Sequence, residues 1–144
     1  MISCTQFIPA YSEGFKYLEK KGGKKQVYKF WEELSDTYLK DSLKKQIEEK
    51  GIRGCFDYWN KALNEEAADF TMTLDEKEGF FQIDMHKCPS KGMLNSLDYM
   101  EPYKDYCEHC EVLYKRVVEP LGFKYDIDLS KTNNAKCKLT INKK

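Results

Sequence analysis

Four of the six cysteines fall in the C-terminal half of the chain, as Cys88, Cys107, Cys110 and Cys137. A thiolate attacks carbon, binds metal, or pairs with a second thiol as a disulfide. Cys107 and Cys110 stand three apart in a helix-like run and so share one helix face. Cys88 and Cys137 lie at strand-like segments on either side of it. Four thiolates from separate elements suit tetrahedral zinc, with C-x-x-C as the commonest half-site. Zinc is therefore the cofactor this layout admits, with Cys88, Cys107, Cys110 and Cys137 as ligands. The intervals of 18 and 26 residues between the parts match no ordinary zinc knuckle. Four thiolates on zinc make a closed structural site; with three or none bound, Cys107 or Cys110 is free to act as a nucleophile. The plain alternative is that these cysteines fill a tight helix–sheet contact, as free cysteine often does.

His86 and His109 are the only histidines. His86 precedes Cys88 by two, so both project to one side if the strand continues. That makes His86 the better proton carrier or fourth ligand, although a lone histidine on a strand face is most often polar surface. His109 falls near the edge of its helix stripe and ranks below it. The catalytic candidates are His86, Cys107 and Cys110. Asp84 and Glu108 rank lower because such carboxylates are usually solvated. There is no phosphate-binding loop, no G-x-S-x-G and no H-E-x-x-H.

The elements that would position these groups follow from periodicity. Val27, Phe30, Trp31, Leu34 and Tyr38 form a helical stripe after the Gly22-Gly23 break. Asp41-Ser42 can cap a further helix ending near Gly51. Ile52, Cys55, Phe56, Trp59 and Leu63 form another stripe, with Cys55 as a core residue. Cys4, near the terminus, is expected to carry no chemistry. Residues 70–74 and 80–87 alternate as strands around a turn-forming segment. A short helix can follow Cys88-Pro89-Ser90, and a longer one runs from about Tyr103 to Glu119, closed by Pro120 and Gly122. Phe123, Tyr125, Ile127 and Leu129 alternate, as do Cys137, Leu139 and Ile141, with residues 130–134 as the hairpin. The expectation is one α+β domain over residues 1–144. A helical part spans about 5–67, and a strand-strand-helix-strand-strand unit with an antiparallel sheet spans about 68–144.

Composition bounds the partners. Lysine plus arginine and aspartate plus glutamate number 24 each, giving zero net charge. That argues against nucleic acid, whose phosphates call for a basic excess. Ten Tyr and eight Phe suit a core or a pocket for a small ring. No apolar run approaches a membrane span, and residues 1–4 show no secretory pattern. The expected setting is the cytoplasm, where thiols stay free or bind metal. The expected partner is a small molecule.

Met85-His86-Lys87-Cys88-Pro89, Tyr106-Cys107-Glu108-His109-Cys110-Glu111 and Ala135-Lys136-Cys137-Lys138-Leu139 together resemble the L-2-amino-thiazoline-4-carboxylic acid hydrolase family. These small bacterial proteins share the layout of C-P after a strand, a cysteine-bearing helix and a late strand with a final cysteine. The resemblance covers roughly the C-terminal 75 residues. It implies hydrolytic opening of a small sulfur- and nitrogen-containing ring or a related cyclic amidine or amide. Family members often carry a glycine shortly before the last cysteine, where this chain has Asn134-Ala135. The cysteine layout is also similar to 4-vinyl-reductase-type small-molecule-binding domains, which implies instead a non-catalytic module with a structural zinc.

Overall fold

Alternating apolar and polar residues build the sheet. In the computed structural model β1 (Asp69–Asp75), β2 (Phe80–Lys87), β3 (Phe123–Asp128) and β4 (Cys137–Lys143) form one antiparallel sheet in the order β1-β2-β4-β3. The structure describes the backbone from Cys4 to Lys144 and side chains from Gln6 onward. Residues 1–3 and the Cys4 side chain, named above, lie outside the described residues. Pairing aligns Phe81 with Ile141, Ile83 with Leu139 and Met85 with Cys137. Tyr125 also aligns with Ile141. Residues paired across strands point to the same face, so Cys137 sits on the apolar face with these side chains. The opposite face is polar. There Gln82 donates to Thr140 Oγ1 at 3.2 Å, and Lys138 lies 3.5 Å from Asp84.

The apolar face needs a cover. α4 (Ile52–Asn64) packs on β2 and α6 (Glu108–Val118) on β3. Ile52, Cys55, Trp59, Leu113, Val117 and Val118 bury against Phe81, Tyr125 and Ile141. Cys55 is fully buried there, as its stripe implies. α1 (Cys4–Gly22) and α2 (Lys24–Thr37) add a further layer, and α2 packs along the other side of α6. Phe15, Val27, Trp31, Leu94, Tyr103 and Tyr106 form this second, aromatic core. α6 is thus the partition between two cores. No helix among the described residues is long and apolar enough to cross a membrane.

Two helix boundaries differ from expectation. The long helix begins at Glu108 rather than near Tyr103, with Cys107 as its N-cap. Tertiary bonds hold the preceding segment apart. The Tyr103 amide donates to the buried Ser12 Oγ at 2.8 Å, and the Tyr103 hydroxyl donates to Glu19 at 3.2 Å. The other departure concerns Asp41-Ser42. The chain passes instead through a π-helical turn, Lys40–Lys44, into α3 (Lys45–Lys50). Ser42 donates back to the Tyr38 carbonyl at 3.1 Å, a competing bond that removes it as a cap. Gly51, at φ 60°, ends α3 as expected, a conformation glycine adopts without steric cost. α5 (Pro89–Asn95) follows Cys88, with Pro89 at the start of the helix.

Candidate functional site: a cysteine–histidine pair beside an aromatic cavity

The first turn of α6 carries Glu108, His109 and Cys110. His109 Nδ1 meets the carbonyl oxygen of Tyr106. A carbonyl only accepts, so Nδ1 holds the ring proton and Nε2 keeps a free lone pair. Cys110 Sγ lies 3.5 Å from that Nε2. The thiol is therefore the donor, in a sulfur bond of ordinary length. Nucleophile, base and a third group orienting the base stand in series, the general arrangement of an activated nucleophile. Tyr106 and Tyr11 hold the imidazole edge-on, with ring centroids at 4.8 and 5.7 Å. Phe15 and Trp31 stand at 6.0 and 6.3 Å.

Burial sets the protonation of the pair. It lowers the His109 pKa to about 4, the Tyr106 carbonyl opposing the shift. It pushes the Cys110 thiol up to about 12. Low dielectric disfavours both charged forms, so the resting pair is a neutral thiol beside a neutral imidazole.

His109 is part of the wall of a cavity of about 530 Å³ between α1, α2 and α6. Tyr11, Phe30, Leu34, Leu113 and Tyr114 complete much of that wall, with the exposed rings of Phe7 and Tyr38 also contributing. This volume lies within the usual range for small-molecule sites, and the lining is of the usual apolar kind. A larger cleft of about 650 Å³ near Tyr28 and Pro120 has a different character. Its lining is strongly charged: Tyr28 donates to Glu108 at 2.5 Å, Lys115 lies 3.4 Å from Glu111, and Arg116 pairs outward with Asp36 at 2.8 Å.

The other candidates are distributed around this centre. Cys88 opens α5, its sulfur accepting from the Lys91 amide at 3.5 Å, and it packs against the sheet core. Cys107 lines a separate polar cleft with Lys91 and Thr132. Burial, joined by the charges of neighbouring cysteines, raises Cys107 and Cys137 to about 12. Cys88 is raised by burial and by Cys110. The four thiols thus occupy one neighbourhood of the fold. Among the described residues no group of three or more His, Cys, Asp or Glu side chains is placed to hold a metal ion.

His86 departs from the position expected of it. β2 stops at Lys87 and the chain turns into α5, so Cys88 meets the core while His86 stays exposed. His86 Nε2 sits 2.9 Å from Thr71 Oγ1, and the ring shares a polar cleft with Asp84 and Cys137. Asp84 is held by Lys138 on the outer face. Glu108 accepts from Tyr28 and Lys24. His109, ranked below His86 on sequence, is the histidine that lines the aromatic cavity. Phe7, Tyr11 and Phe15, spaced by four, are the signal that an aromatic helix face would enclose something. Tyr114, one turn beyond Cys110, completes that enclosure.

No family model matches the chain, and no curated protein or solved structure is significantly similar to it.

Proposed function

We propose that the protein is a hydrolase that opens a small cyclic amide or amidine, in the manner of the L-2-amino-thiazoline-4-carboxylic acid hydrolases it resembles. One observation carries this reading: the Cys110 thiol bonded to an oriented, neutral His109 that lines an aromatic cavity open at the exposed rings of Phe7 and Tyr38. Cys110 gives its proton to His109 Nε2 as sulfur bonds to the ring carbonyl or amidine carbon. The ring carbon–nitrogen bond breaks, and His109 returns the proton to the departing nitrogen. His109 then takes a proton from water, whose oxygen attacks the enzyme-bound acyl carbon. Sulfur leaves and recovers that proton. One water is consumed and the pair is restored. His86 has no part in this sequence.

The test is product formation from a panel of cyclic amides and amidines, followed by mass. Cys110→Ala should abolish turnover, and His109→Gln should lower it by about 10²–10⁴, the usual worth of a general acid–base group. The neutral resting pair also favours a second reading, a non-catalytic binding module. Long incubation without product, together with a ligand-induced rise in melting temperature, would establish that module and end the enzyme reading.

A further inference from the structure

We infer that the cavity beside His109 takes an uncharged, flat ligand of two or three rings and rejects carboxylates. This narrows the proposed hydrolase site to uncharged rings, away from the carboxylate substrate that the resembling family's name carries, and it rests on the cavity wall and not on turnover.

Among the described residues the wall holds no Lys, Arg, Asp or Glu. Its titratable groups are phenols and the imidazole, and burial raises Tyr11 and Tyr114, which keeps both phenols neutral. An entering carboxylate would lose its hydration and meet no cation, a penalty that no contact on this wall offsets. An uncharged ring gains edge and face contacts with Tyr11, Phe30 and Tyr114, the geometries aromatic pairs prefer. The phenols and His109 remain as polar handles for one or two ring heteroatoms.

Volume sets the size. At about 530 Å³ the cavity is some three and a half times the ~150 Å³ that encloses one benzene. A single five-membered ring leaves most of it unfilled, whereas a cyclic amide bearing an aromatic substituent takes up more than half of it and a third ring nearly fills it. Charge also gives the site a direction. Opening a cyclic amide creates a carboxylate, which the neutral wall expels, so ring opening itself promotes product release.

The test compares 5-benzylhydantoin, uncharged at pH 7, with N-carbamoylphenylalanine, its ring-opened carboxylate of nearly equal size. Affinities are read by calorimetry on Cys110→Ala, so that failure of the hydrolase reading leaves this result interpretable. The hydantoin should bind at least tenfold more tightly than the carboxylate. Leu34→Trp, which fills the cavity from α2, should remove binding. Tyr38→Lys changes an exposed position and leaves folding intact; its ammonium should narrow the difference between the two ligands. Equal or tighter binding of the carboxylate, no binding of either ligand, or hydantoin binding unaffected by Leu34→Trp would each overturn the inference.

Discussion

The Tyr125 hydroxyl donates to the backbone carbonyl of Cys110 at 3.0 Å, joining the centre of β3 to the turn of α6 that carries the cysteine–histidine pair. Tyr125 is itself buried against Ile141 on the apolar sheet face. The sheet therefore fixes the start of α6 by a directional bond as well as by packing. A helix held only by apolar contacts could slide by a fraction of a turn. This one cannot without leaving a buried phenol unpaired.

Tyr125→Phe should consequently destabilise the protein by about 1–2 kcal/mol, the usual effect of losing one buried hydrogen bond with no change of shape. Urea denaturation would measure it. An unchanged midpoint would mean that packing alone positions the helix.

Acid should act on the molecule through His109. Its folded pKa, about 4, lies below the ordinary 6.5. The unfolded chain binds the proton first, so the stabilising difference is complete above pH 6.5 and lost as pH falls toward 4. The window corresponds to about 3 kcal/mol at 1.36 kcal/mol per unit. His109→Gln should flatten the stability profile between those limits. A variant that keeps the wild-type slope there would assign the acid sensitivity to other groups.

The thiols should show the opposite sign. Burial raises Cys107, Cys110 and Cys137 to about 12 from the usual 9. The stability this represents is present below pH 9 and lost as pH rises toward 12. The thiolate is both the nucleophile and the metal ligand. Native protein at pH 7 should therefore react with iodoacetamide far more slowly at these positions than urea-unfolded protein does. Zinc content after purification without chelator, and melting with and without EDTA, decide separately whether the four cysteines hold metal. Stoichiometric zinc, with melting lowered by the chelator or by Cys107→Ser, would mean that the four sulfurs close on a metal.

Legibility from sequence followed the range of each signal. β2 was readable to the residue because its two-residue alternation is written locally in Phe81, Ile83 and Met85. The start of α6 was not, since Tyr103 is held out of the helix by Ser12 and Glu19, far away in the chain. The same limit misplaced the histidines. His86 looked favourable by its two-residue offset from Cys88, an argument that fails where the strand stops at Lys87. His109 looked peripheral on a single helix projection, because the Tyr11, Phe15 and Trp31 rings that enclose it come from α1 and α2. Much of the aromatic content goes into the second core and the rings around the cavity.

Ala135 gives the last test, at a place where the resembling family often has glycine. It lies just past the 3₁₀ turn of the β3–β4 hairpin at φ 56° and ψ 33°, the left-handed region. Its carbonyl accepts the Cys88 amide at 2.7 Å, so this backbone setting joins the hairpin to the start of α5. A side chain there costs about 1–2 kcal/mol. Ala135→Gly relieves that cost but loses a buried methyl worth about 0.8 kcal/mol and adds unfolded-state freedom worth about 0.4–1 kcal/mol. The three nearly cancel, so the glycine variant should stay within about 1 kcal/mol of the wild type. Ala135→Val keeps the apolar character but places a β-branched residue at positive φ, where such side chains are true outliers. It should cost more than about 2 kcal/mol and speed alkylation of Cys88, whose amide would lose its partner. Equal stability of the valine and glycine variants would show that the hairpin can abandon the left-handed turn, and that Cys88 does not depend on it.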